Sequence, residues 1–128
     1  MAQEEKLAHD VYVALDEEFG GVVFERIAAS EAKHLNALRR VMARYDVADP
    51  TAGMADGEFA SDSVKQLYDE LLAKATTLEE AMAVGADIER MDIADLKDAI
   101  ADATQRDLKR VYNNLLRGSQ RHLVAFTR

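Results

Sequence analysis

The stretch from Phe24 to Tyr45 spaces its apolar residues alternately three and four apart, which is typical of a helix face buried in a bundle. Two charged residues, Glu31 and His34, occupy consecutive positions of that face, with apolar residues before and after them. Charged groups in an apolar interior are unfavourable unless a partner neutralises them. The chain must therefore fold so that compensating groups reach the interior beside this helix.

Three other long segments repeat this spacing, and each carries polar residues in its apolar face. The segments run over about residues 3–19, 77–103 and 105–127. Their polar residues are Glu5 in the first, Glu89 and Asp92 in the second, and Ser119 and His122 in the third. A break near residues 91–93 is an alternative, in which Asp92 would cap a new helical turn.

Glycines and capping residues divide the chain into two helical hairpins. Gly20 and Gly21 end the first helix, and the last two helices meet near Thr104. A crossover of about thirty residues joins the hairpins and contains a shorter amphipathic helix that starts near Ser61. The single proline also favours long helices. The prediction is one all-α domain over residues 1–128, a four-helix bundle of two antiparallel hairpins with a short extra helix in the long crossover.

The polar residues fall at similar heights in the predicted bundle. On the first hairpin, Glu5 lies fifteen residues before the glycine turn, and Glu31 and His34 lie ten and thirteen residues after it. On the second, Glu89 and Ser119 each lie fifteen residues from the turn. At about 1.5 Å of rise per residue, these positions come within a turn or two of one level. The sequence therefore predicts one polar layer shared by four helices.

Composition limits what such a layer can bind. Several carboxylates buried together require protons or bound cations. The chain has no cysteine, so a metal would be held by carboxylate, imidazole or carbonyl groups, which suit iron or manganese, with zinc possible. The net charge of −8 disfavours nucleic acid and anionic membranes as partners. Without a signal peptide or membrane-spanning run, we expect a cytoplasmic location.

Four stretches of the chain carry a resemblance to a known superfamily: EEKLAHDVY, IAASEAKHLNAL, GADIERMDIADL and NLLRGSQRHLVAF. Together they resemble ferritin-like di-iron carboxylate proteins, in which two helices each give one Glu and two others each give Glu-x-x-His. The layout is similar to the rubrerythrin branch and closer still to a small, functionally uncharacterised ferritin-like domain family.

The resemblance implies a site for two divalent metal ions, with iron expected and manganese or zinc as alternatives. The implied ligands are Glu5, Glu31, His34, Glu89, Asp92 and His122, with Glu4 as the fallback for Glu5 and Glu31 as the metal bridge. The sequence departs from the pattern at Ser119, which stands where a bridging glutamate is expected. Asp92, one turn after Glu89, would supply the missing carboxylate.

The activity that the resemblance implies is non-haem di-iron redox chemistry, either peroxide reduction or Fe(II) oxidation, with oxygen or hydrogen peroxide as the oxidant. An external electron donor protein would be needed, because the chain has no cysteine-rich electron-transfer segment. Two alternatives stay open. One is a metal-binding or trafficking module without turnover, marked by Ser119. The other is a metal-free helical interaction domain whose buried polar residues fix the helix register.

Several further residues have open assignments. His9 lies beside the apolar face rather than in it, so we expect an exposed side chain. Gly85 either allows close helix packing or leaves room above the metals for the oxidant. The crossover helix, through Leu67 and Leu71, either covers the bundle or faces a partner. A homodimer is compatible with the resemblance.

Overall fold

A computed structural model describes residues 1–128, which form five α-helices and no β-strand. The helices are α1 Ala2–Phe19, α2 Val23–Arg44, α3 Asp62–Lys74, α4 Leu78–Asp102 and α5 Arg106–Phe126. The all-helical prediction is confirmed, and the helix ends differ from the predicted ones by about one residue. No helix combines the length and apolar character that crossing a membrane requires.

The helix ends follow from local capping chemistry. Ser61 Oγ accepts a hydrogen bond from the backbone N–H of Val64, and Thr77 Oγ1 accepts one from Glu80. Each satisfies a backbone donor that the first helical turn leaves free. Gly20, with φ of 67°, occupies the left-handed region that only glycine enters without strain, so the chain can turn sharply into α2.

The helix α4 runs without interruption through residues 91–93, so the alternative of a break there is wrong. Asp92 is 3% exposed inside this helix and does not cap it. Because residues three apart lie on one helix face, Glu89 and Asp92 point in the same direction.

Each of the four long helices packs against two of the others. Both α1 and α5 pack against α2 and α4. Residue numbers rise along α4 while they fall along α5, so these two helices are antiparallel; the facing pairs are Gly85 with Phe126, Glu89 with His122, and Asp92 with Ser119. The crossover helix α3 packs on α1 and α4 and buries Leu71, so it covers the bundle. The arrangement is compatible with the predicted four-helix bundle with an extra helix.

The apolar core has two parts, and the polar layer lies between them. A cluster of 15 buried residues surrounds Tyr12, Phe24 and Phe126, whereas a second cluster of 3 consists of Leu38, Leu96 and Leu115. Each of α2, α4 and α5 passes from the larger cluster through buried polar residues to the smaller one. The interior is therefore apolar above and below this layer.

A buried lysine fastens the crossover to α1. Lys6 Nζ donates to Asp10 Oδ2 at 2.5 Å and to the backbone carbonyl oxygens of Ala55 and Glu58, both at 2.8 Å. These acceptors satisfy all three N–H donors of the ammonium group, which is what a buried lysine requires. The contact holds the loop between α2 and α3 against the first turns of α1.

Gly85 serves close packing rather than open space. A Cβ at this position would lie 2.7 Å from Cε1 and Cζ of the Phe126 ring, so the ring occupies the volume that a side chain would need. Phe126 also packs against Tyr12, with ring centroids 5.2 Å apart. The glycine therefore lets α5 approach α4 closely just above the polar layer.

The substitution Gly85→Ala should destabilise the protein although alanine is the better helix former. Alanine gains about 1 kcal/mol in helix propensity, whereas overpacking a core typically costs about 1–3 kcal/mol. We expect a net loss of about 1 kcal/mol in the free energy of unfolding, measured by urea titration. In the Phe126→Leu background the same substitution should lose its penalty. An equal penalty in both backgrounds would mean that the overlap is not the cause.

Candidate metal centre

All six residues that the sequence analysis proposed as ligands meet in one layer inside the bundle. Glu5, Glu31 and Glu89 have no exposed surface, and Asp92 and His122 are 3% and 8% exposed. The His34 side chain keeps 13% of its surface exposed. Each long helix contributes at least one of them, as the agreement in height predicted.

The donors form two groups that share one carboxylate. In the first, His34 Nδ1 lies 3.3 Å from Glu31 Oε2 and 3.5 Å from Glu5 Oε2. In the second, His122 Nδ1 lies 2.9 Å from Glu31 Oε1 and 3.1 Å from Glu89 Oε1. Within each group the ligand atoms lie within 4.8 Å of one another. Each oxygen of Glu31 faces a different group, so this carboxylate could contribute a ligand to both.

Ser119 stands where the sequence resemblance led us to expect a glutamate, and its hydroxyl contacts another carboxylate of the layer. Ser119 Oγ donates a hydrogen bond to Asp92 Oδ2 at 2.9 Å, and both residues are buried. Asp92 also lies beside Glu5 and Glu31, whose negative charges act on it. The layer thus contains four carboxylates although α5 contributes none.

Four carboxylate oxygens in the layer are buried without a hydrogen-bond partner: both oxygens of Glu5, Oε2 of Glu89 and Oδ1 of Asp92. Buried polar atoms in folded proteins are nearly always satisfied, and an unpaired buried acceptor typically costs about 1–3 kcal/mol. Four such atoms in one place indicate that the layer is built around groups that supply positive charge.

In the metal-free layer, protons supply that charge. Burial and the neighbouring Glu31 carboxylate raise the pKa of Glu5 to about 8, and burial with the charges of Glu5 and Glu31 raises that of Asp92 to about 9. Burial alone would lower the pKa of the histidines, but contacts with Glu31 and the other facing carboxylates outweigh it. The pKa of His34 is about 10 and that of His122 about 9. The same histidine contacts, with Glu5, lower the pKa of Glu31 despite its burial.

Three residues position the layer from outside. The Tyr12 hydroxyl donates to Glu89 Oε1 at 3.0 Å, and Ser30 Oγ lies 3.0 Å from His122 Nε2, on the far side of the ring from the carboxylates. A Cβ on Gly118 would lie 2.6 Å from His34 Cε1 and Nε2, so this glycine makes room for the imidazole. Tyr12 lies in the apolar pattern, but nothing in that pattern pointed to Ser30 or Gly118, since their roles depend on how α2 and α5 are rotated against each other.

Two other candidates fall outside the layer. Glu4, the fallback for Glu5, is half-buried, and its pKa is raised to about 8 by burial and a hydrogen bond with Asp95. His9 was expected to be exposed, which is wrong: its side chain is 24% exposed, because Nδ1 lies 2.8 Å from the buried Asp10 carboxylate. His9, Asp10 and the exposed Asp56 form a separate polar group at the crossover.

Comparison with known proteins gives the family. A model of an uncharacterized protein domain (DUF2202) matches residues 1–128. The chain belongs to this family. It is 40% identical over 129 residues to the uncharacterized protein MJ0754 of Methanocaldococcus jannaschii, across 100% of this chain and 70% of the relative. The crystal structure of the hypothetical protein MJ0754 from Methanococcus jannaschii DSM 2661 matches with a TM-score of 0.95 and 38% identity, over 98% of this chain and 73% of that one. This relative thus shares the helical fold of the chain, and neither name describes a ligand or an activity.

The metal-free protein should lose stability as the pH rises from mildly acidic to alkaline values. Glu5, Asp92, His34 and His122 all have pKa values raised in the folded state, so folding binds protons over this range. Their stabilising contribution is complete below the unfolded pKa of each group and is lost as the pH passes the folded values of about 8 to 10. The lowered pKa of Glu31 acts in the opposite sense, since its contribution is lost only on acidification.

Urea unfolding of chelator-treated protein at pH 5, 7 and 9 measures this dependence. The variant Asp92→Asn, which keeps the residue neutral at every pH, should show a flatter profile than the wild type. The exposed Asp98→Asn serves as the matched control on the same helix and should follow the wild type. A wild-type profile that rises between pH 5 and pH 9 would contradict the proton assignment.

Proposed function

We propose that this protein is a ferritin-like di-metal carboxylate protein that holds two divalent ions, with iron as the expected metal and manganese or zinc as alternatives. The observation that carries the proposal is the pair of buried donor groups that share Glu31. Two carboxylates and one imidazole within 4.8 Å of one another provide three ligands for one ion, and the second group repeats this set. The four-helix arrangement with a long crossover supports the assignment to the ferritin-like class.

The donor set fits iron and manganese chemically. It consists of carboxylate oxygens and imidazole nitrogens without thiolate, and its four carboxylates balance the charge of two divalent ions. The unpaired oxygens of Glu5, Glu89 and Asp92 support the same conclusion, because bound cations would satisfy them. The raised pKa values imply that metal binding would release protons, as ligand deprotonation generally does.

The surrounding residues would orient the ligands. Ser30 contacts Nε2 of His122, which leaves Nδ1 directed at the carboxylates, and such outer partners fix the ring that binds a metal. Tyr12 holds one oxygen of Glu89, and Ser119 holds one oxygen of Asp92, so the other oxygen of each carboxylate is left for a cation. When bound, a pair of iron ions would supply redox chemistry toward oxygen or hydrogen peroxide. We infer either peroxidase chemistry, with electrons from a separate donor protein, or ferroxidase chemistry, in which Fe(II) itself supplies the electrons.

A metal-binding or trafficking module without turnover is the second candidate, and Ser119 favours it. In the ferritin-like pattern a carboxylate from this helix bridges the two ions, whereas here Asp92 approaches from the neighbouring helix. One bridge, Glu31, is then left instead of two, which would hold the pair of ions less symmetrically. Metal content with no peroxide-dependent oxidation would favour this candidate over the enzyme.

Substitution of the shared ligand should abolish metal binding. Glu31→Gln removes a carboxylate from both groups, so we expect it to bind neither ion, whereas His34→Ala and His122→Ala should each weaken one group. The measurement is metal content by mass spectrometry after growth in iron-supplemented medium, together with calorimetric titration of chelator-treated protein.

His9→Ala is the matched control, since this third histidine lies outside the layer. It should retain wild-type stoichiometry. Full metal content in both Glu31→Gln and His34→Ala would exclude this site. Wild-type protein that binds no iron, manganese or zinc would leave the metal-free interaction domain as the remaining function.

Asp92 should act as the replacement for the carboxylate that Ser119 lacks. We expect Asp92→Ser to lower the affinity for one of the two ions by about 10- to 100-fold. This is the range seen when a metal site loses a supporting group. Ser119→Glu in the Asp92→Ser background should recover much of this affinity, because the two side chains face each other at 2.9 Å. Calorimetric titration of the three proteins measures the change. Unaltered affinity in Asp92→Ser would remove Asp92 from the ligand set.

A further inference from the structure

A small cavity of about 150 Å³ borders the polar layer on the side covered by the crossover helix. Its apolar walls include Leu67 of α3 and Ile88 of α4. Three carboxylates also line it, those of Glu4, Asp92 and Asp95. Acidic groups are unusual in the wall of an otherwise apolar cavity, because each must be hydrated or neutralised there.

The three carboxylates form a series that leads from the surface to the candidate metal centre. Asp95 is exposed, Glu4 is half-buried and Asp92 is 3% exposed. Glu4 lines the same cavity as Asp95 and Asp92. Asp92 in turn lies beside Glu5, whose two oxygens are unpaired. A cavity lined with carboxyl groups therefore leads from solvent toward the ligands.

An independent observation at the inner end of this path indicates a cation. Asp92 Oδ1 is buried without a hydrogen-bond partner, while its Oδ2 accepts from Ser119. A carboxylate oxygen in this situation is unfavourable unless a cation or water reaches it. Asp92 also lines the cavity, so a cation in the cavity would lie next to this carboxylate.

We propose that this cavity is the passage by which divalent cations reach the candidate metal centre, with the exposed Asp95 attracting the ion and with Glu4 and Asp92 passing it to Glu5. The inference rests on the proposed function. The three carboxylates do not converge on one point as the two donor groups do, so they provide successive contacts rather than a tight site.

Rapid mixing of metal-free protein with Co²⁺ tests the passage. The chain has no tryptophan, and Tyr12 contacts the ligand Glu89, so quenching of tyrosine fluorescence reports arrival of the ion at the centre. The charge variant combines Glu4→Gln with Asp95→Asn. The matched control is Asp98→Asn, which removes an equally exposed charge from α4 but does not line the cavity.

We expect the charge variant to take up Co²⁺ at least about tenfold more slowly than the control, because acidic clefts raise cation on-rates by this order. The final stoichiometry should match the wild type, as neither residue belongs to the donor groups. Leu67→Phe, which narrows the cavity without changing its charge or adding a tryptophan, should slow uptake as well. Circular dichroism and thermal unfolding confirm that each variant is folded before mixing.

The outcomes separate this inference from the proposed function. If wild-type protein binds Co²⁺ and the charge variant takes it up at the rate of Asp98→Asn, the passage is refuted while the metal centre stands. If the charge variant also loses stoichiometry, Glu4 or Asp95 is a ligand and the passage is refuted in that way. If the wild type binds no Co²⁺, the proposed function fails and the passage fails with it.

Discussion

The burial of four carboxylates between two apolar clusters is the constraint on which the rest of this structure depends. Leaving several unpaired charges in a medium of low dielectric constant is far more unfavourable than any single packing defect. The protein meets it with two imidazoles set between the carboxylates and with protons on Glu5 and Asp92. Every one of these neutralising contacts joins different helices or successive turns of one helix. The electrostatics of the layer and the register of the bundle are therefore set by the same contacts.

Small residues give the layer its shape. Gly85 admits the Phe126 ring on one side, and Gly118 admits the His34 imidazole. Glycine inside a helix costs about 1 kcal/mol relative to alanine. Gly85 and Gly118 therefore lower the intrinsic stability of α4 and α5. That loss is offset by close approach of the helices, which the aromatic packing above the layer and the charge pairing within it both require.

The helices and the level of the polar layer could be predicted from the sequence because both follow from local periodicity and a fixed rise per residue. Glu31 and His34 stand out for that reason, as charged residues in an apolar pattern. The alternative of a helix break near residues 91–93 was wrong. The sequence alone does not distinguish an aspartate that caps a new helical turn from one that is buried inside a continuous helix. Ser30, Gly118 and the half-buried His9 were beyond prediction. Their roles depend on how the helices and the crossover pack, which no local pattern records.

The buried Lys6 links the crossover, which lies at the periphery of the molecule, to the helix that carries Glu5. The residue before it in the chain is Glu5, and a helix transmits the placement of one side chain to the next almost rigidly. Ala55 and Glu58, whose carbonyl oxygens accept from the ammonium group, thereby help to set the depth and rotation of the neighbouring Glu5 carboxylate. A segment about fifty residues away along the chain thus supports the candidate metal centre. Substitutions in residues 55–58 would therefore affect Glu5 without any direct contact between the loop and that carboxylate.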